Sequence, residues 1–363
     1  MVEYENLELS NRPFVAELQQ AFGKLLNIGW YVLGKEVSEF EREFATFVGS
    51  RHCIGVANGL DALTLSLHAL ELPAGSDVLL ASNTYIATIL AVINAGHHPV
   101  LVEPDLRTYN IDPERLAAAM TPTTRAICVT HLYGKSCRMD LIGEFARAQG
   151  LAVVEDCAQS HGATLNGRMT GTFGNTGCFS FYPTKNLGAL GDAGAVTTDD
   201  DALAERLRHL RNYGSAKKYV NDMVGFNSRL DEVQAAFLRV KLPHLCEITA
   251  HKQRLAAMYF EALPAELVLP LRESGFVDVF HIFAVRTPRR DELRAFLLEQ
   301  GIKTEVHYPI APHRQKAMRG LLEGDYPISE EIHATELSLP ISFATTSVNV
   351  AEVCRAARQF FAR

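Results

Sequence analysis

The sequence lacks the patterns that mark several large classes of protein. It contains no cysteine and histidine pairs at zinc-binding spacing, no H-E-x-x-H, no G-x-G-x-x-G after its first strand and no P-loop. These absences argue against a metal-dependent enzyme, a nicotinamide oxidoreductase and a nucleotide hydrolase. There is no low-complexity tract, and the longest apolar stretches, such as residues 86–95, fall short of the roughly 20 residues that cross a bilayer. The sequence therefore predicts a folded protein without a membrane span or a metal site.

Basic residues are also fewer than acidic ones, with 35 Lys and Arg and 42 Asp and Glu. The resulting net charge of -7 argues against a nucleic-acid partner. The seven cysteines are an odd number, scattered without a C-x-x-C pair. Three of them, Cys128, Cys157 and Cys178, lie in or beside apolar runs, as reduced, buried thiols do. The acidic segment MVEYENLELSN does not resemble a signal peptide, so we expect a cytoplasmic protein.

Short apolar segments alternate with helical patterns from about residue 52 onwards. This alternation predicts a seven-stranded, mostly parallel sheet with helices on both faces. The predicted strands are 52–56, 77–81, 99–102, 126–130, 151–155, 177–181 and 194–197. Upstream, residues 36–48 place apolar side chains at spacings of three and four, which predicts a packed helix.

A Pro-containing segment at residues 263–271 is the predicted domain boundary. Residues 1–263 would form a large domain with N-terminal helices. Residues 264–363 would form a smaller C-terminal α/β domain, with segments at 278–286, 290–300, 303–305 and 348–361.

Lys185 is the strongest candidate for a catalytic residue. It follows the apolar run Cys178–Tyr182 and precedes a glycine-spaced turn, a context that predicts a partly desolvated amine rather than an ordinary surface lysine. Desolvation disfavours the ammonium form, and a neutral amine can form a Schiff base with a carbonyl cofactor such as pyridoxal phosphate. That cofactor needs a carboxylate beside its pyridine nitrogen. Asp156, after the apolar run 151–154, is placed for that role, with a helix N-cap as the alternative.

Several separated segments resemble the DegT-type nucleotide-sugar aminotransferases, which are pyridoxal-phosphate enzymes of fold type I. The segments are GVANGLDAL, EDCAQSHGA, SFYPTKNLGALGDAGAVTT and GFNSRLDEVQAA, in that order along nearly the whole chain. The resemblance implies an aspartate-aminotransferase-like fold. It also implies transamination in two half-reactions, with the cofactor passing through its pyridoxamine phosphate form.

The resemblance assigns roles to residues whose own context leaves alternatives open. Gly59 and Leu60 lie in a turn at a helix start, which can hold a phosphate, and Ser180 would add a hydroxyl donor. Tyr85 would stack on the pyridine ring, although it also suits packing on the sheet. Gln159 would contact the ring oxygen of the cofactor. His161 would lie nearby, with either a packing or a substrate role.

The resemblance further implies a homodimer with shared active sites, because the family's residue equivalent to Asn227 reaches the neighbouring subunit's cofactor phosphate. Arg229 is a candidate anion contact or a surface arginine. The loop residues Lys217, Lys218 and Tyr219 are candidate diphosphate contacts, with solvated side chains as the alternative. His307 and Tyr308, in VHYPIAPH, and Tyr182, beside Lys185, are candidate substrate contacts; a turn is the alternative for the His-Tyr pair.

The expected reaction is transfer of the amino group of L-glutamate to a keto group of a nucleotide-linked deoxysugar. The NGLDAL and SFYPTKNLG segments most resemble the branch that aminates C-3 of dTDP-3-keto-6-deoxyhexoses in glycan biosynthesis. A 4-amino or UDP-sugar enzyme of the same family is an alternative. A non-catalytic regulatory protein with this fold is another, although Asp156, Gln159, Ser180 and Lys185 are all present. Lysine at 185 argues against the family's dehydratases, which have histidine there.

Overall fold

A computed structural model of the protein describes residues 1–363 and contains one large sheet, a three-stranded sheet and a two-stranded sheet. The strands are β1 His52–Val56, β2 Asp77–Ala81, β3 His98–Val102, β4 Thr124–Thr130, β5 Ala152–Asp156, β6 Thr164–Leu165, β7 Arg168–Met169, β8 Thr176–Ser180, β9 Gly194–Thr198, β10 Phe276–Val277, β11 Phe283–Arg286 and β12 Glu336–Leu339. The helices are α1 Leu7–Asn11, α2 Val15–Ile28, α3 Lys35–Val48, α4 Gly59–Ala69, α5 Ile86–Asn94, α6 Leu116–Ala119, α7 Met139–Gln149, α8 Asp201–Leu210, α9 Glu232–Lys241, α10 Leu245–Ala262, α11 Arg290–Glu299, α12 Pro327–Thr335 and α13 Ser347–Phe361.

The large sheet has the strand order β1-β9-β8-β5-β4-β2-β3, and β9 alone runs against its neighbours. The predicted seven-stranded, mostly parallel sheet is therefore confirmed. Strand bounds differ from prediction by at most two residues, and Asp156 is the last residue of β5 rather than the residue after it. Because β1 and β8 both run against β9, the carboxyl ends of β1, β5 and β8 lie at one edge of the sheet. Ligands of open α/β sheets bind at this edge.

Helices cover both faces of the sheet because its strands are apolar on both sides. On one face, α4, α5 and α8 pack with the strands in a core that includes Leu63, Leu67 and Ile89. On the other face, α3 directs Phe40 and Phe44 at the sheet, where Phe44 meets the ring of Phe179 edge-on with centroids 4.9 Å apart. The periodic apolar face predicted for residues 36–48 is therefore buried.

A buried carboxylate fixes the chain between β7 and β8. Glu155, fully buried in β5, accepts hydrogen bonds from the backbone amides of Gly171 (2.9 Å), Phe173 (2.7 Å) and Gly174 (2.7 Å). His131 lies 2.9 Å from the same carboxylate and accepts the Cys137 amide at its other ring nitrogen, so it donates to Glu155. Four donors satisfy this charge, which would otherwise be costly to bury.

The C-terminal part of the chain has its own core between α10, α11, α13 and the β11–β12 pair, to which Val2 at the N-terminus also contributes. The predicted segment 303–305 forms neither a helix nor a strand and makes only an isolated bridge, between Glu305 and Ser338. β12 and α12 were not predicted. The division of the chain at residue 264 stays a prediction.

None of the helices combines the length and the apolar composition needed to cross a membrane.

We expect Gly177→Ala to destabilise the protein, because the backbone of Gly171 lies directly over Gly177 in β8. An added Cβ would overlap Gly171 Cα and lie 2.6 Å from the Gly171 carbonyl oxygen. Overpacking of this kind costs about 1–3 kcal/mol of unfolding free energy, which a lower urea midpoint would report. Gly23→Ala in α2 is the matched control, since no atom lies within 4 Å of its added Cβ. Equal midpoints for both variants would contradict this account.

Candidate active site

Lys185 lies in the turn that follows β8, at the sheet edge where β5 ends at Asp156. The turn closes on itself through a hydrogen bond from the Lys185 amide to the Tyr182 carbonyl (2.8 Å). The amine Nζ makes no hydrogen bond or ion pair within the chain, and burial lowers the pKa of Lys185 to about 8 while the charge of Asp156 opposes that shift. At pH 7 about a tenth of this amine is therefore unprotonated, far more than for an ordinary lysine.

Two buried lysines hold this turn through hydrogen bonds to neutral oxygen atoms, and neither forms an ion pair with a carboxylate. Lys252 of α10 donates to Asn186 Oδ1 (2.8 Å), and Lys241 of α9 donates to the Gly188 carbonyl (2.7 Å). Asn186 in turn donates to the Val279 carbonyl (3.0 Å). Burial lowers the pKa of both lysines to about 8. The turn is thus fixed from two helices and from the C-terminal part of the chain, and these lysines are anchors that the sequence analysis missed.

Asp156 is buried, and its carboxylate has two hydrogen-bond donors. Thr88 Oγ1 donates to Oδ2 (2.7 Å), and the Ala158 amide donates to Oδ1 (3.1 Å). Burial raises the pKa of Asp156, while Thr88, the Ala158 amide and the charge of Lys185 favour the ionised form. No helix begins directly after β5, so Asp156 is not a helix cap, and its carboxylate keeps capacity to accept further hydrogen bonds.

The turn between β1 and α4 lies against the end of β8. Asn58 caps α4 by accepting the Asp61 amide at 2.8 Å, and no hydrogen bond within the chain uses the Gly59 or Leu60 amides. A Cβ on Gly59 would lie 2.6 Å from Ser180 Cβ, so only glycine allows this approach. The structure thus brings Gly59, Leu60 and Ser180 together at a helix N-terminus, an arrangement that suits a phosphate.

Gln159 connects the loop after β5 to the C-terminal part of the chain. Its Oε1 accepts the Tyr133 amide (2.7 Å), and its Nε2 donates to the Tyr308 hydroxyl (3.1 Å). The Tyr308 ring lies 5.0 Å from the ring of Tyr85, which is half-exposed just before α5. These three side chains and Asp156 face one region. His307 lies beside Lys185, whose charge helps burial to lower the pKa of His307 to about 4.

Other predicted site residues lie apart from this group within the single chain. Arg229 donates to Asn212 Oδ1 (2.9 Å) and lies over the Tyr213 ring. Asn227 is exposed and forms an isolated bridge with Asn212, while Tyr219 is 88% exposed. No hydrogen bond or ring contact joins these three to Lys185, Asp156 or Gln159. Tyr182, adjacent to the lysine turn, is 52% exposed.

His161 is buried between aromatic rings, with centroids 5.6 Å from Phe179 and 5.5 Å from Phe181. Burial lowers its pKa to about 3, so the ring is neutral. This environment favours the packing role over the substrate role.

The chain is similar to known proteins in both sequence and fold. The sequence model of the DegT/DnrJ/EryC1/StrS aminotransferase family matches residues 14–358. A relative from Aneurinibacillus thermoaerophilus, named dTDP-3-amino-3,6-dideoxy-alpha-D-galactopyranose transaminase, is 48% identical over 361 residues, which are 99% of each chain.

Two solved structures are similar over the whole chain. DesV from S. venezuelae has a TM-score of 0.97 and 43% identity, covering 100% of this chain and 99% of its own. NtdA from Bacillus subtilis, solved with bound cofactor PMP, has a TM-score of 0.94 and 28% identity, covering 100% and 85%. The resemblance in the sequence motifs and the predicted fold type are both confirmed. This chain belongs to the DegT/DnrJ/EryC1/StrS aminotransferase family.

Proposed function

We propose that this aminotransferase binds pyridoxal phosphate on Lys185 and transfers the amino group of L-glutamate to C-3 of a dTDP-3-keto-6-deoxyhexose. One observation carries the cofactor assignment. A partly buried lysine without a partner, with its pKa lowered to about 8, lies at the same sheet edge as a buried carboxylate and a helix N-terminus with free amides. Family membership and the NtdA structure with bound PMP support the same cofactor.

The residues present fit this cofactor. Gly59, Leu60 and Ser180 would hold its phosphate, and Tyr85 would cover one face of its ring. Asp156 would pair with the ring nitrogen and Gln159 with the ring oxygen. When bound, the cofactor supplies an electron sink for the carbon that loses a proton.

Asp156 has to be ionised for this role, and its surroundings support that form. The hydrogen bonds from Thr88 and the Ala158 amide compensate part of the desolvation that raises its pKa. A protonated ring nitrogen beside it would add a full positive charge and lower the pKa of Asp156 further. Thr88 also fixes the direction of the carboxylate, because it approaches from α5.

Lys185 is the proton carrier of the mechanism. Its amine accepts the α-proton of the amino donor and returns a proton on the keto-sugar side of the reaction, so its two protonation states must both be accessible. A pKa of about 8 meets that requirement, since neither form is strongly disfavoured near neutral pH. The anchors Lys241 and Lys252 keep the turn in place when Nζ moves between partners.

The substrate assignment is supported by the relatives. The A. thermoaerophilus relative is named for a dTDP-3-amino-3,6-dideoxy sugar and aligns over 99% of this chain. Tyr182, His307 and Tyr308 would contact the substrate from this chain. The nucleotide or its diphosphate would be contacted by the exposed Tyr219, by Arg229 and by the neighbouring basic pair Lys217–Lys218.

A homodimer would complete the site. Asn227, Tyr219 and Arg229 lie outside the group around Lys185, as expected of residues that serve the partner's site. Large apolar side chains are exposed at the end of α2 and in the loop before α3, including Trp30 at 63%, Ile28 at 58% and Tyr31 at 52%. An exposed apolar surface of this kind is typical of a subunit interface.

We expect Lys185→Ala to reduce turnover by at least about 10³-fold, because both the attachment point and the proton carrier are lost. Lys185→Arg should be equally inactive, since a guanidinium does not deprotonate. Steady-state assays of transamination and mass mapping after borohydride reduction of the wild type test this. Exposed Lys24→Ala is the matched control. Cofactor fixed by borohydride at another lysine would refute the assignment.

Removing the carboxylate of Asp156 should lower the pKa of Lys185 below about 8, because that negative charge stabilises the ammonium form. The pH dependence of reductive methylation of Lys185, read by peptide mass spectrometry on cofactor-free protein, measures this. The midpoint should move to lower pH in Asp156→Asn and stay in place in Asp325→Asn, whose side chain is 94% exposed. An unchanged midpoint in Asp156→Asn would show that the two charges do not interact.

The substrate preference has a direct test. Purified enzyme with L-glutamate should aminate a dTDP-3-keto-6-deoxyhexose, and the product should carry the amino group at C-3. The 4-keto isomer and a UDP-linked 3-keto sugar, assayed in parallel, distinguish the two alternatives within the family. Turnover with the 4-keto sugar alone would reject the proposed regiochemistry while leaving the reaction class intact.

A further inference from the structure

A hydrogen-bonded chain joins His307 to a buried carboxylate. His307 Nδ1 lies 2.8 Å from Ser338 Oγ, and Ser338 Oγ lies 2.5 Å from Glu336 Oε1. Glu336 and Ser338 are two residues apart on β12, so both side chains lie on one face of the strand. Residues Glu305 and Ser338 exchange backbone hydrogen bonds beside them, which fixes the register of the His307 segment against β12.

The other contacts leave little freedom in this chain. Glu336 Oε2 accepts the His307 amide at 2.7 Å, and the hydroxyl of Tyr133 donates to the His307 carbonyl. His307 Nε2 makes no hydrogen bond within the chain. The ring of His307 lines a cleft together with Thr184 and Lys252, on the side of Lys185. The free nitrogen is therefore the part of His307 available to a ligand.

No cation pairs with the carboxylate of Glu336, although several ionisable groups surround it. Arg290 of α11 donates to the Glu336 backbone carbonyl (3.0 Å), and Arg286 of β11 pairs with Glu331. The other ionisable groups near it are Tyr4, Tyr109, Tyr133 and Tyr308, and His333 Nδ1 of α12 donates to the Tyr308 carbonyl (2.6 Å). Burial raises the pKa of Glu336 to about 8, and burial keeps His307 neutral across the same range.

The protonation of Glu336 decides the arrangement of the remaining protons. When Glu336 is neutral, Oε1–H donates to Ser338 Oγ, Ser338 donates to His307 Nδ1, and the imidazole proton sits on Nε2. When Glu336 is ionised, Ser338 donates to Oε1 and accepts from His307 Nδ1–H, so Nε2 carries a lone pair. The change releases one proton in total, because the carboxyl proton passes to Ser338, the Ser338 proton passes to Nδ1, and the Nε2 proton leaves to solvent.

We propose that Glu336 and Ser338 are positioning residues that set the tautomer of His307, and with it whether Nε2 offers the cleft a hydrogen-bond donor or an acceptor. The donor state is ready for an anionic oxygen of a substrate. This identity of the ligand rests on the proposed function, in which both the amino donor's carboxylate and the sugar nucleotide's diphosphate are anionic. The tautomer change itself does not depend on it.

The tautomer is measured by ¹⁵N NMR of histidine-labelled holoenzyme, in which protonated and bare ring nitrogens differ in chemical shift; His307→Asn identifies the signals. In the wild type, His307 should change from Nε2–H to Nδ1–H with a midpoint near pH 8. Glu336→Gln should hold Nε2–H at every pH, because its carbonyl accepts the His307 amide and its NH₂ donates to Ser338. Ser338→Ala should remove the pH dependence, and Ser338→Thr should retain it.

Kinetics of the two half-reactions identify which substrate supplies the anionic oxygen that binds His307 Nε2. The KM for the amino donor or for the sugar nucleotide should rise about tenfold above the midpoint, as expected for loss of one charge-assisted hydrogen bond. Glu336→Gln should abolish that rise while leaving the step that titrates with Lys185. Two results would overturn the inference. One is that His307 has the same tautomer in the wild type and in Glu336→Gln at every pH. The other is that KM depends on pH in the same way in these two proteins. If the His307 tautomer changes with pH but the enzyme does not use glutamate, the proposed function is wrong and the tautomer inference stands.

Discussion

The site depends on the burial of two opposite charges at one edge of the large sheet. Asp156 is buried and Lys185 is partly buried, so each shifts toward its neutral form, and each opposes the shift of the other. The balance leaves the lysine with both protonation states accessible, while Thr88 and the Ala158 amide sustain the carboxylate. A more exposed lysine would remain an ammonium ion, and a carboxylate without donors would tend to protonate.

The fold supplies the geometry that makes this balance possible. Glu155 precedes Asp156 on β5 and points to the opposite side of the strand, where four donors fix it and the 171–174 segment. That segment lies over Gly177 of β8, so β5 and β8 are held close together. Neighbouring residues of one strand thus have different tasks, because Glu155 is fully satisfied within the fold whereas Asp156 retains capacity for a ligand.

Much of the fold could be predicted because its signals are local. Seven short apolar segments in alternation with helices define a doubly wound sheet, and Lys185 and Asp156 are recognisable from their positions after such segments. What could not be predicted comes from contacts between distant residues. Thr88 looks like an ordinary helix residue, and Lys241 and Lys252 look like surface lysines on α9 and α10. β12 was missed since its polar residues Glu336 and Ser338 break the apolar pattern, although both are buried.

The strand order also bears on how the protein is made. β1 pairs only with β9, and the Asn58 carbonyl lies against Gly194 at the start of β9, so the turn at Gly59 lacks these contacts until residues 194–198 are in place. Roughly the first half of the chain must leave the ribosome before these contacts can form. The lysine anchors of α9 and α10 emerge later still. The contacts that hold the Gly59 turn and the Lys185 turn are therefore complete only after the large sheet and the two helices behind it have been synthesised.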